Sequence, residues 1–128
     1  MKSTDEKLRE YGCKRVSNRM PESRFEISEL KSAIVFVVAS WSGQSKAGLY
    51  AIAKAISSCE PELILIDNDN VDHDWIRPLF FDCPANHWPL HGYGEALWVR
   101  DGQVVATSTF RSPISDQKLA QLVEKIAH

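Results

Sequence analysis

The chain has 128 residues, a length typical of a single domain that can bury its own core. Apolar residues make up 44% and charged residues 25%, which excludes disorder throughout, and the net charge of −2 argues against binding to nucleic acid or to anionic membranes. The cysteines form no CxxC motif, so a disulfide scaffold and a zinc ribbon both lose support: they are Cys13, Cys59 and Cys83.

The N-terminal part of the chain predicts three short elements. Ser3 or Thr4 can cap a helix that Gly12 ends, a weak strand surrounds Val16, and Ser23–Lys31 is a predicted short helix. The polar, acidic start has no hydrophobic stretch of the signal-peptide kind, and no apolar run is long enough to span a membrane. We therefore expect a cytoplasmic protein.

The strongest signal is Ala33–Ala39 (AIVFVVA), because a continuous β-branched and apolar run is typical of a central strand buried on both faces. The turn Ser40–Gly43 separates it from a helix predicted over Ser45–Ser58. The predicted inward face of that helix is Ala47, Tyr50, Ala51, Ala55 and Ile56. A second buried strand, Leu63–Ile66, ends in the polar turn Asp67–Asn70.

The C-terminal half predicts a helix over Asp72–Phe81, a loop over Pro84–Gly94 and a last helix that begins at Ser115 or Asp116. Between the loop and that helix lie two strands, joined by an Asp-Gly turn that favours a tight hairpin: Ala96–Val99 and Val104–Thr109. Strands linked by helices form parallel crossovers, and the hairpin adds an antiparallel edge. The predicted class is α/β, with a mixed central sheet between helices and a C-terminal β-hairpin plus helix.

Four segments in this order resemble the thioredoxin family: Arg24–Lys31 (RFEISELK), Ala33–Lys46 (AIVFVVASWSGQSK), Trp88–Glu95 (WPLHGYGE) and Leu97–Gly102 (LWVRDG). The second segment is similar to the family's central strand and active-site turn, usually written VDFWAxWCGPCK. The resemblance implies a thioredoxin-like three-layer sandwich over residues 14–128, with residues 1–13 as an N-terminal extension, predicted to be helical.

The sequence departs from the family pattern at the positions that carry the family's thiol–disulfide chemistry. Ser42 and Ser45 stand where the family has its two cysteines, and a hydroxyl cannot form a mixed disulfide. The other replaced positions are Gln44 for proline, Phe36 for the buried aspartate, an apolar residue of Leu63–Leu65 for lysine, and Gly94 for the cis-proline. This pattern predicts a redox-inactive member that needs no cofactor.

The leading hypothesis is a non-catalytic protein- or peptide-binding adaptor or assembly factor, with a groove in which the Gly94–Glu95 backbone pairs with an extended partner chain. The candidate contacts are Trp41, Ser42, Gln44, Ser45, Trp88, Tyr93 and Gly94. Trp41 is either the surface anchor or a ring packed over the loop that holds Trp88 and His91. Ser42 is either a helix N-cap or, with Lys46, part of an anion site.

Two alternatives remain open. The protein could be a thioredoxin-like oxidoreductase that acts through the single thiol of Cys83, or one whose active-site cysteines were changed to serine. In a third reading, Cys83, His87 and His91, spaced by four, are weak candidate ligands for a metal.

Overall fold

A computed structural model of the chain describes residues 16–18, 26–56, 61–81, 83 and 87–127. The predicted N-terminal helix and the proposed extension over residues 1–13 lie outside these ranges, as do Cys13 and Cys59. No helix in the described ranges is both long and apolar enough to cross a membrane. The cytoplasmic location stays a prediction.

Five strands form one mixed sheet in the order β1-β3-β2-β4-β5. Their bounds are Val16–Asn18 (β1), Ser32–Val38 (β2), Glu62–Asp67 (β3), Glu95–Arg100 (β4) and Gln103–Thr109 (β5). β1, β2 and β3 are parallel, whereas β4 is antiparallel to β2 and β5 to β4. Every strand predicted from the sequence is present, and β2 lies at the centre with a neighbour on each side.

Helices cover both faces of this sheet, as predicted. The α-helices are Gly43–Ala55 (α1), His73–Ile76 (α2) and Asp116–Ile126 (α3). On one face, Ile34, Phe36 and Val38 of β2 share a core with α1 and α3. On the other face, alternate β2 residues pack with Ile76 of α2 and with the irregular segments beside it. Because its apolar residues point to both faces, β2 contributes to the core on each side of the sheet.

Two helices differ from their prediction. Within the described part of Ser23–Lys31 the only helical residues are a 3-10 turn, Ile27–Glu29, from which Leu30 packs against the core in a half-buried position. The helix predicted over Asp72–Phe81 is one α-helical turn, α2, followed by a 3-10 turn over Arg77–Leu79. Pro78 has no N–H to continue an α-helical ladder, which accounts for the change of helix type.

The inward face of α1 is also different from the prediction. The buried residues are Ser45, Gly48, Leu49, Ile52 and Ala53, with Ile56 just beyond the helix. Of the positions predicted to face inward, Ala47 is exposed and three others are only partly buried. The helix is rich in alanine and other small apolar residues on several sides, so the sequence pattern does not mark one face clearly.

The turn of the β4–β5 hairpin lies at the end of the sheet where β2 begins, opposite the turn that follows β2. Asp101 (φ 50°) and Gly102 (φ 78°) both have positive φ, as the predicted tight hairpin requires. Their N–H groups donate to the carbonyl oxygens of Lys31 (2.8 Å) and Leu30 (2.7 Å). The hairpin therefore fixes the segment that enters β2.

Candidate functional site

Four loops meet at one edge of the sheet. The turn after β2 carries Trp41, and the turn after β3 carries Asp69. Because β4 is antiparallel to β2, its first residue, Glu95, lies opposite Val37 near the end of β2. Thr109, at the end of β5, is paired with Glu95. The topology thus brings together the Trp41 turn and the loop that holds Gly94, as the sequence predicted.

Ser42 and Ser45 build the start of α1. The Ser42 hydroxyl oxygen accepts a hydrogen bond from the Ser45 N–H at 3.2 Å, and its backbone N–H donates to the Ala39 carbonyl at 3.0 Å. The Ser45 hydroxyl accepts from the Ala39 N–H at 3.0 Å and has no exposed surface. The N-cap interpretation of Ser42 is confirmed. Ser45 is enclosed, so its side chain is not a surface contact for a partner.

Trp41 is the most exposed large apolar residue in the described part of the chain, with 64% of its surface open. Its Nε1–H donates to Asp69 Oδ1 at 3.3 Å. The outer part of its six-membered ring lies against the backbone at Gly92, where an added Cβ would overlap ring carbons. Gly92 has φ +78°, a conformation that favours glycine. Trp41 therefore combines both readings: it rests on the loop, yet remains largely exposed.

Gly94 passes directly against the start of α1. A Cβ built on it would lie 2.9 Å from Phe36 Cζ and 3.2 Å from Ser45 Cα, and its φ is +100°. Gly94, which stands where the resemblance implies a cis-proline, therefore lies beside the start of α1 that holds Ser42 and Ser45. Its carbonyl accepts from the Phe110 N–H at 3.3 Å, and Glu95 is already paired with both β2 and β5. The predicted addition of a partner strand at Gly94–Glu95 does not fit this arrangement, because Glu95 has a paired strand on each side and the Gly94 carbonyl is already bonded.

Glu95 is a site residue that the sequence reasoning missed. Only 2% of it is exposed, and its Oε1 accepts from the N–H groups of His91 (3.1 Å) and Gly92 (3.2 Å). Its Oε2 accepts from the Thr109 hydroxyl at 2.8 Å. Glu95 thereby fixes the backbone on which Trp41 rests. The available signal was an acidic residue opening an otherwise apolar strand, since buried carboxylates are rare without partners.

Three candidate contacts remain to be placed: Gln44, Trp88 and Tyr93. The Gln44 amide donates to the carbonyls of Phe110 (3.3 Å) and Arg111 (3.1 Å), so it ties α1 to the turn after β5. Trp88 is half-buried in the core on the opposite face of the sheet from α1, with its ring centroid 4.4 Å from that of His73. Tyr93 is half-buried, and its ring centroid lies 6.2 Å from that of His91.

The metal candidates do not come together. No group of three His, Cys, Asp or Glu side chains that could hold an ion occurs among the described residues. Cys83 is half-buried, and its Sγ lies 3.7 Å from the carbonyl oxygen of His87. Cys83, His87 and His91 therefore form no metal site in this structure.

Four aspartates lie at the end of β3 and in the segment after it: Asp67, Asp69, Asp72 and Asp74, here called the acidic turn. Asp67 Oδ1 accepts from the Asp69 N–H at 3.1 Å, and Asp72 caps α2 by accepting from the Trp75 N–H at 3.2 Å. These bonds hold the turn in shape. Asp69 and Asp74 are exposed, so their carboxylates face solvent.

A groove of about 300 Å³ lies between α1 and the segment that follows β5, and the sequence did not predict it. It is lined by Gln44, Ala47, Gly48, Ala51, Phe110, Pro113 and Ile114. Gly48 lets the ring of Phe110 pack directly on α1 beside this groove, because a Cβ there would overlap that ring.

No protein-family model matches the sequence, and neither does any of the curated proteins. Solved structures match over most of the chain. One is a mutant thioredoxin from Halobacterium salinarum NRC-1, with TM-score 0.60 and 11% identity, covering 91% of this chain and 95% of that chain. Another is desulfothioredoxin from Desulfovibrio vulgaris Hildenborough in its reduced form, with TM-score 0.63 and 13% identity, covering 89% and 99%. A third is Plasmodium falciparum thioredoxin, with TM-score 0.56 and 20% identity, covering 88% and 99%. The chain has the thioredoxin fold, which confirms the predicted fold class.

Proposed function

We propose that this protein is a non-catalytic member of the thioredoxin-fold proteins that binds a protein or peptide, as an adaptor or assembly factor, through the edge around Trp41. The observation that carries the proposal is the state of this one side chain. It is 64% exposed, yet it is held by a hydrogen bond to Asp69 and by close packing on Gly92. A large, rigid and exposed indole is the kind of residue that anchors protein interfaces.

The chemistry at the start of α1 supports binding over thiol exchange. Thiol–disulfide exchange needs a thiolate, and the two positions carry hydroxyls that cap the helix and satisfy the Ala39 N–H. Phe36 packs against Gly94 here, so the site has an apolar ring where the family resemblance implies a buried carboxylate. A partner would be held by reversible, noncovalent contacts.

The backbone available to a partner is that of Tyr93. Its N–H and carbonyl make no hydrogen bond with another described residue, whereas the Gly94 carbonyl accepts from Phe110 and Glu95 is paired with strands on both sides. Trp41 and Tyr93 are therefore the proposed contacts for an extended chain. Ser42 and Gln44 shape the site by holding the turn.

Affinity capture from native extract tests the proposal. Wild type is compared with Trp41→Ala and with Phe81→Ala, which removes another exposed aromatic residue (62% exposed) outside the turn. We expect a partner that Phe81→Ala retains and Trp41→Ala loses. Equal capture by all three proteins would contradict the proposed site.

A second measurement separates binding from catalysis. Insulin reduction with dithiothreitol is followed for wild type and Cys83→Ala. We expect both to stay at the background rate. Turnover clearly above background that disappears in Cys83→Ala would establish the single-thiol oxidoreductase instead.

A further inference from the structure

The charge around Trp41 is divided into two sides. The strand order places β3 on one side of β2 and the β4–β5 hairpin on the other. The acidic turn lies on the β3 side. On the opposite side lies the exposed Arg111, whose carbonyl is bonded to Gln44 at the start of α1. A charged partner seated on Trp41 is therefore drawn to one side and repelled from the other.

The carboxylate nearest to the indole is not neutralised. Asp69 uses Oδ1 to accept from Trp41 Nε1 (3.3 Å) and from Asn68 Nδ2 (3.5 Å). Neither Asp69 nor Asp74 forms a salt bridge with any residue in the described ranges, and both are exposed. The Asp69 carboxylate, which no cation of the described ranges neutralises, thus lies beside an open aromatic surface.

The indole itself favours a cation. Trp is the aromatic side chain that binds cations most strongly, because its ring face is electron-rich. Donation of its N–H to the Asp69 carboxylate increases that electron density. Since 64% of Trp41 is open, a partner side chain has access to the ring.

We infer that the partner presents a basic, extended segment, and that an arginine of this segment stacks on Trp41 and pairs with Asp69. This inference rests on the proposed function. A guanidinium is planar, so it can lie on an indole while its N–H groups bond a carboxylate at the ring edge. A lysine ammonium offers the charge without the stacking surface. The segment runs from Trp41 toward the acidic turn.

Selection from a displayed library of random twelve-residue peptides tests the inference. We expect the peptides enriched on wild type to contain arginine more often than the starting library. Synthetic versions should bind at least tenfold more weakly to Trp41→Ala. For Asp69→Asn we expect a loss of about 2- to 5-fold, the effect typical of an exposed ion pair. Asparagine keeps an oxygen that can accept from Trp41, so this variant removes chiefly the charge.

Asp101→Asn is the matched control. It removes an exposed aspartate at the hairpin end of the sheet, and asparagine tolerates the φ of 50° found there. Binding should be unchanged in this variant, and binding to wild type should weaken as NaCl rises from 50 to 500 mM, because exposed charges are screened.

The outcomes are distinct. Enriched peptides that need Trp41 but are neutral or acidic would overturn this inference and leave the proposed function standing. Basic peptides in which lysine replaces arginine without loss would overturn the stacked arginine. If no enriched peptide depends on Trp41, the proposed function fails as well.

Discussion

Replacing Gly92 by alanine tests whether this residue supports Trp41. The change has two costs in the wild-type protein. Alanine at φ +78° is strained by about 1–2 kcal/mol. In addition, its Cβ would overlap the Trp41 ring, so the ring has to leave its position.

The second cost follows from the burial of Trp41. The residue is 64% exposed, so about a third of its surface is covered. For a side chain of up to ~250 Å², that is on the order of 80 Å². At about 25 cal/mol per Å², the covered surface is worth about 2 kcal/mol, and it is shared between Gly92 and other neighbours. We expect Gly92→Ala to cost about 2–4 kcal/mol in wild type and about 1–2 kcal/mol in a Trp41→Ala background.

Urea unfolding followed by far-ultraviolet circular dichroism gives the four free energies of this double-mutant cycle. Fluorescence is unsuitable because one mutation removes a tryptophan. Gly43→Ala is the control, since a Cβ there meets nothing within 4 Å and φ is not positive. It should leave the free energy of unfolding unchanged or raise it by up to ~1 kcal/mol. An equal cost of Gly92→Ala in both backgrounds would refute the proposed support of Trp41.

Three other predictions concern the start of α1. Ser45→Ala should lower the free energy of unfolding by about 1–3 kcal/mol in urea titrations, because it leaves a buried backbone N–H without an acceptor; an unchanged midpoint would contradict this. Gly48→Ala should lower the free energy of unfolding, because its Cβ overlaps the Phe110 ring, although alanine is the better helix former. In a Phe110→Ala background that overlap is gone, so the same change should raise the free energy of unfolding by about 1 kcal/mol through helix propensity alone. A destabilisation that persists there would show that another neighbour is responsible. The double change Ser42→Cys and Ser45→Cys should not reach the insulin-reduction rate of an ordinary thioredoxin, because the nearby Phe36 offers no carboxylate and Gly94 stands in place of the cis-proline; matching that rate would disprove the role given to Phe36 and Gly94.

The sheet was the part of the molecule most open to prediction. Unbroken apolar residues mark β2, and residues that accept positive φ mark the Asp101–Gly102 turn. The inward face of α1 was not predictable in the same way, because alanines on several sides give its periodicity little contrast. Which face of α1 turns inward is decided by tertiary contacts, such as that between Gly48 and Phe110, which are far apart in sequence.

The candidate site shows the same difference between features that nearby residues determine and features that depend on distant parts of the chain. The positions of Ser42, Ser45, Trp41 and Gly94 could be predicted because the segments that hold them resemble those of the thioredoxin family. The pairing of the Gly94–Glu95 backbone could not, since it depends on strands that come later in the chain. The role of Glu95 is also nonlocal, because its carboxylate accepts hydrogen bonds from two loop N–H groups and from the Thr109 hydroxyl.

The fixed geometry of the Trp41 turn has a consequence for the speed and cost of docking. The indole is held by Asp69 and by the loop that Glu95 fixes, and the Trp41 backbone leads directly into the capped start of α1. A partner that lands on it has little of this surface left to order, so the loss of conformational entropy falls mainly on the partner's own chain. Association should then proceed with little backbone movement on this side, in the manner of a preorganised interface.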